Sequence, residues 1–342
     1  MHRFTSVRSE TSLKNLLATK NTKESVLSSH LPVLDFLRGV AALSVCLFHF
    51  SCGNPGFLPP QDALHCAGSF GWLGVQSFFV ISGFVIPYSL HQRNYQLKHW
   101  KQFLTRRLKR IEPPYLACIG LVIGLNYLSL CVPGFQGTPF KFSALELFSH
   151  LAYLNVFIGF PWYNPVFWTL AIEFQFYLFI ALVFPLLNHQ NYWLRLITVL
   201  VTALLGLIGF GATGTGLLFH WLPLFSIGIV AYLFVVGNLT TRTSFLLGSI
   251  VTVLTFNVVG QLEAVAGAVT ATAICVFRST QNPSILKWIS MVGTISYSLY
   301  LLHVPIGGRV INLAWRLPDL LLVRYCAIAC AFAVSLGSAY LF

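Results

Sequence analysis

Apolar residues along this chain fall neither into the alternation of a strand nor into the one-sided stripe of a soluble helix. They come in long, nearly unbroken runs, at 34–52, 68–90, 113–132, 142–160, 165–187, 192–212, 216–236, 243–260, 262–278, 288–312 and 320–342. About 20 mostly apolar residues suffice for a helix to cross a bilayer, so each run predicts a transmembrane helix. The run 142–160 carries Glu146 and His150 and reads as an incomplete or re-entrant span, which puts the count at ten or eleven. Residues 92–112 are basic and amphipathic and predict a helix lying on the cytoplasmic membrane surface. Pro113-Pro114 would then open the following span, where missing N–H groups cost nothing. The connections are short. The expected fold is therefore all-α, a polytopic transmembrane helix bundle over 32–342, preceded by a polar, basic, disordered cytoplasmic tail over 1–31.

Composition strengthens this reading. The 342 residues are 56% hydrophobic and only 9% charged, against roughly 25% charged in a soluble domain. The net charge of +12 is concentrated in two places. One cluster is Arg3, Arg8, Lys14, Lys20 and Lys23; the other is Arg93, Lys98, Lys101, Arg106, Arg107, Lys109 and Arg110. Two spans separate them, so both fall on one side of the membrane. Excess Lys and Arg in short loops marks the cytoplasmic face. The charge thus points to a lipid bilayer and not to nucleic acid, and it predicts a cytoplasmic N-terminus. Residues 1–30 lack the apolar core of a cleavable signal, so the first span is expected to serve as an uncleaved anchor.

The eight Cys residues include no C-x-x-C pair and no Cys/His cluster with metal spacing, so neither a metal nor a bound cofactor is expected. Cys52 and Cys66 bracket the first external loop. A disulfide there would close about 15 residues and add roughly 3 kcal/mol; the spacing leaves both states open.

Ionisable groups inside apolar runs are costly and mark function by default. The first run holds Asp35, Arg38 and His49. Eleven helical residues return to within about 20° of the same face and advance roughly 16 Å, so Arg38 and His49 are expected on one polar stripe. The alternative is that Arg38 snorkels to headgroups and His49 meets a local hydrogen bond. An imidazole titrates near neutrality and suits proton removal from a hydroxyl. In the fifth run Glu173 is the only acid, with Gln175 and Tyr177 beside it; it is expected to orient His49, to contact substrate or to pair with a buried Arg. Arg107 and Arg110 are neighbours at i,i+3 with Arg106 adjacent. Arginine forks suit phosphate, so a nucleotide-bearing donor such as acyl-CoA can dock there; a lipid-binding basic face is the alternative. Tyr297, Tyr300 and His303 bring polar groups into the tenth run, where helix packing competes with an acceptor-side role for Tyr297 and His303.

Taken in order, LDFLRGVAALSVCLFH (34–49), GVQSFFVISGF (74–84), RRLKRIEPPY (106–115), FWTLAIEFQFY (167–177) and GTISYSLYLLH (293–303) resemble the membrane acyltransferase-3 family, which includes bacterial O-antigen and exopolysaccharide O-acetylases. The resemblance implies an inner-membrane enzyme that takes an acyl group, acetyl above all, from cytoplasmic acyl-CoA to a hydroxyl of a glycan or glycolipid. The family's basic-x10-His motif falls on Arg38 and His49, its arginine pair on Arg107 and Arg110, and its acidic residue on Glu173. Two departures stand out. Phe36 occupies a position that is often Gly, and the sequence stops at Phe342 without the short Glu-Pro tail of other members. A transporter or flippase for a glycan or lipid-linked substrate is the rival reading. Such proteins often carry inverted repeats and paired broken helices, and no repeat is evident here.

Overall fold

A computed structural model describes residues 31–133, 139–209, 217–278 and 287–342. Of the polar tail over 1–31, residues 1–30 lie outside them. The described residues form helices α1 (Pro32–Ser51), α2 (Ala63–Gly68), α3 (Leu73–Gln92), α4 (Trp100–Leu130), α5 (Ala144–Leu151), α6 (Asn155–Ile158), α7 (Phe167–Leu187), α8 (Tyr192–Leu204), α9 (Leu218–Val235), α10 (Thr241–Val258), α11 (Gln261–Phe277), α12 (Lys287–Thr294), α13 (Ser296–Ala314) and α14 (Leu321–Leu341). Strands are absent among the described residues.

Among the described residues seven helices are long and apolar enough to cross a membrane, eight if the pair α12–α13 counts as one bent span. This is fewer than the ten or eleven expected. The run 142–160 contains only the eight-residue α5 and the four-residue α6 and does not form a spanning helix. Thr- and Ser-rich α10 and the 17-residue α11 lie outside that count.

α9 is the hub, with 78% of its apolar window buried inside the protein against 22% for α4. It meets α3 at backbone contact. A Cβ on Gly83 would collide with the Phe225 carbonyl, and one on Gly228 with the Val80 carbonyl. Small residues let membrane helices approach this closely, and Phe176 of α7 stacks on Phe225 at 4.0 Å beside the crossing. α12 lies equally close along the first half of α1.

Two expectations about helix breaks are corrected. Pro113-Pro114 does not start a new helix; both prolines lie inside the 31-residue α4, so the basic segment is the first part of a single long helix. Tertiary contacts hold it across the break. Tyr297 Oη donates to the Ile111 carbonyl at 2.8 Å, and Tyr153 Oη donates to Glu112 at 3.0 Å. The run 288–312 instead bends by 66° between α12 and α13. There Thr294 Oγ1 and Ser296 Oγ each donate at 2.7 Å to a carbonyl three residues back, a competition that disrupts helical ladders.

Cys52 and Cys66 are both free. Their thiols point to the carbonyls of His65 and Pro60. Asp62 fastens this loop instead: it caps α2 by accepting from the Leu64 and His65 amides and accepts a hydrogen bond from Tyr325 of α14.

Candidate active site

Pro32 supplies an N-terminal start that needs no amide donor, and α1 then runs unbroken past Asp35, Arg38 and His49. Asp35 and Arg38 pair at 3.5 Å one turn apart. Arg38 faces a cavity of 420 Å³ walled also by Asp35, Ser82, Arg107, Arg110, Glu173, Tyr177, Tyr297 and Tyr300. Three guanidinium groups therefore share one partly enclosed space with two carboxylates. Glu173 is held by Tyr177 Oη, which donates at 2.6 Å from one turn away, and more weakly by Ser82 Oγ at 3.5 Å. Arg107 is equally fixed. Its Nη2 donates to Ser89 Oγ at 2.6 Å, and the guanidinium lies over the Phe103 and Tyr177 rings at 5.7 and 5.6 Å. A second cavity of 350 Å³, lined by Arg93, Arg106, Arg107 and Arg110, adjoins the first. Arg107 and Arg110 border both, forming a basic vestibule that opens on a polar chamber.

His49 does not open on this chamber. It lies at the other end of α1 and lines a cavity of 190 Å³ with Asn54, Gly308 and Asn312. Its ring centroid is 5.1 Å from that of His303. Tyr300 connects the two ends: it walls the arginine chamber, bonds Thr169 Oγ1 at 2.9 Å, and places its ring 5.8 Å from His303. Phe78 packs on Tyr300 at 5.7 Å, so an aromatic layer separates the cations from the imidazoles.

Local sequence explains the position of His303. Pro305 has no N–H, and the helix widens into a π turn over His303–Gly307, a device recurrent at functional sites. The Leu301 carbonyl that Pro305 leaves unpaired accepts from Asn164 Nδ2 at 2.9 Å and from the Cys118 thiol at 3.4 Å. His303 is fully buried. Its Nδ1 contacts the Leu299 carbonyl at 3.2 Å. A carbonyl only accepts, so Nδ1 carries the proton and Nε2 keeps its lone pair in the neutral ring. That Nε2 has no partner.

The structure thus gathers Arg38, Arg107, Arg110, Glu173 and Tyr297 at one end, with Arg106 in the vestibule, and His49 with His303 at the other. Glu173 is not brought to His49. Tyr297 precedes His303 by six residues, about 9 Å of helix, and so falls on the arginine side and not beside His303. The sequence reading missed Asn54, Asn126, Arg309 and Asn312, which line the histidine end. Arg309 was within reach of the rule applied to Arg38, being an ionisable residue inside the run 288–312.

Among known proteins, the family model described as "Acyltransferase domain" matches residues 31–342. The O-acetyltransferase OatA of Staphylococcus aureus is 31% identical over 174 residues, covering 47% of this chain and 26% of that protein. A putative acetyltransferase, ORF330 of Acidianus two-tailed virus, is 27% identical over 215 residues, 60% of this chain and 59% of its own length. A regulator of hypoxia-inducible factor 1 from Caenorhabditis elegans is 26% identical over 206 residues, 55% of this chain and 39% of that protein. The match thus spans 26% of the length of the staphylococcal relative. No solved structure matches the chain.

Proposed function

The chain belongs to the acyltransferase-3 family, and from that premise we propose that it moves an acyl group, acetyl above all, from acyl-CoA to a hydroxyl of a glycan or glycolipid. The observation that carries this reading is the two-ended site. A vestibule and chamber lined by arginines meet, across Tyr300 and His303, an imidazole that opens at the opposite end of the bundle.

In this reading the arginine end is cytoplasmic, as the excess of basic residues there predicts. Arg106, Arg107 and Arg110 take the donor phosphates by charge-assisted forks. The pantetheine arm extends through the chamber past Arg38, and the thioester reaches the aromatic layer. The acceptor hydroxyl lies at the histidine end. His49 removes its proton as the oxygen bonds to the thioester carbonyl carbon. The C–S bond then breaks, and the imidazolium returns the proton to the departing thiolate, giving an ester and free CoA. In this reading His303 orients the His49 ring by accepting its N–H on the lone-pair Nε2 when the acceptor is bound, the two ring centroids lying 5.1 Å apart. Glu173 acts at the other end, where it balances the arginines and holds Tyr177.

Purified protein reconstituted in proteoliposomes with radiolabelled acetyl-CoA and a glycan tests this reading. Release of CoA thiol matched by an alkali-labile acetyl ester on the glycan is expected, and both should fall by about 10²–10⁴ in His49→Ala. Passage of unmodified glycan without CoA release would establish the transporter instead.

A further inference from the structure

The histidine end contains a cation that the transfer chemistry does not use. Arg309 lies on α13 six residues beyond His303 and lines a cavity of 250 Å³ with Asn126, Tyr163 and Asn312. This cavity and the one at His49 share Asn312, Val304 and Pro165, so the two form one groove. The guanidinium is fixed by neutral groups alone: Nη2 donates to Asn126 Oδ1 at 2.8 Å, and Nη1 donates to Ser129 Oγ. Nε is buried and has no partner. Among the described residues no carboxylate pairs with Arg309.

A partly buried cation without a counter-charge is costly, and a guanidinium keeps its charge at any accessible pH. Its rigid fork matches a carboxylate or phosphate. Asn126 and Ser129 hold it like a prepared receptor: they satisfy two of its nitrogens through neutral acceptors and leave its charge uncancelled.

We infer that Arg309 is an acceptor-specificity residue, and that the groove between it and His49 takes a glycan bearing a carboxylate or phosphate close to the hydroxyl that is acylated. The inference rests on the acyl-transfer reading above and adds the charge of the acceptor. Asn312, which lines both cavities, supplies a carboxamide Nδ2 that can donate to a sugar hydroxyl, its Oδ1 being held by Asn54.

Transfer from acetyl-CoA is measured in neutral-lipid nanodiscs to three matched oligosaccharides, one neutral, one with a uronate and one with a sugar phosphate. The wild type should favour one or both anionic acceptors through KM by about tenfold, the worth of one charge-assisted bond. Arg309→Gln should reduce that preference to near unity, and Arg309→Lys, which keeps the charge without the fork, should keep only part of it. The uronate and phosphate arms show which anion the groove selects. Equal KM values in the wild type, or a preference that survives Arg309→Gln, would overturn the inference. Calorimetric binding of glucuronate and of inorganic phosphate gives a second readout that needs no catalysis. If the wild type transfers to no acceptor yet binds an anion through Arg309, the acyl-transfer reading fails and the anion site stands; if it binds neither anion, the site fails. Thermal midpoints of both variants separate loss of the site from loss of the fold.

Discussion

His303 stands 5.1 Å from His49, ring centroid to ring centroid, on a helix that has been widened by Pro305. This pairing, between residues 254 positions apart in sequence, makes His49 more than an isolated imidazole at a helix end.

If His49 is the base, His49→Ala should lower kcat by about 10²–10⁴ and leave the donor KM nearly unchanged, because the proposed donor contacts lie at the other end. His303→Phe keeps the ring volume and deletes both nitrogens. It should lower kcat by a smaller factor, again without a change in donor KM. Steady-state kinetics with varied acetyl-CoA reads both; an increase in KM alone would place these residues in binding.

Arg107 is locked between Ser89 and two aromatic rings. Arg107→Ala should raise the donor KM by about tenfold or more, the worth of a charge-assisted contact. Lys retains the charge without the planar fork, so Arg107→Lys should recover only part. Comparing CoA with dephospho-CoA as competitive inhibitors would show whether a phosphate is the group lost.

The α3–α9 crossing tolerates no side chain at Gly83. Gly83→Val forces the helices apart at the Phe225 carbonyl and should cost about 1–3 kcal/mol of overpacking, seen as a lower thermal midpoint in detergent. Gly120→Val is the control, since nothing lies within 4 Å of a Cβ there.

His150, in the short helix α5 outside the candidate spans, donates from Nδ1 to the Glu146 carbonyl at 2.8 Å and accepts the Tyr163 amide on Nε2 at 2.9 Å. Burial lowers its pKa below the ordinary 6.5. Its neutral form is the one that the fold binds, so its contribution is complete above about pH 6.5 and is lost as pH falls towards the folded pKa. Thermal midpoints measured from pH 7.5 to 5 should decline in the wild type, and the decline should shrink in His150→Gln.

Much of the fold was legible because bilayer thickness sets a length that any apolar run either meets or misses. The run at 142–160 misled because length and apolarity do not report a break, and Ser143 and Glu146 start a short helix that the chain soon leaves. Pro113-Pro114 misled in the opposite direction: a strong local breaker was overridden by Tyr297 and Tyr153 reaching across from other segments.

By itself the sequence determined which residues cannot sit comfortably in lipid: Arg38, His49, Arg107, Glu173, His303 and Arg309. The cost of burying charge is a property of each side chain and needs no fold to be known. Which of them meet was decided only by tertiary structure. Helical spacing put Arg38 and His49 on one face of α1, yet a face says nothing of what packs against it, and α13 with α3 inserts Tyr300 and Phe78 between their cavities. Glu173 was drawn to Tyr177 and the arginines, and His303 to His49, because the crossing of helices far apart in the chain sets those neighbours.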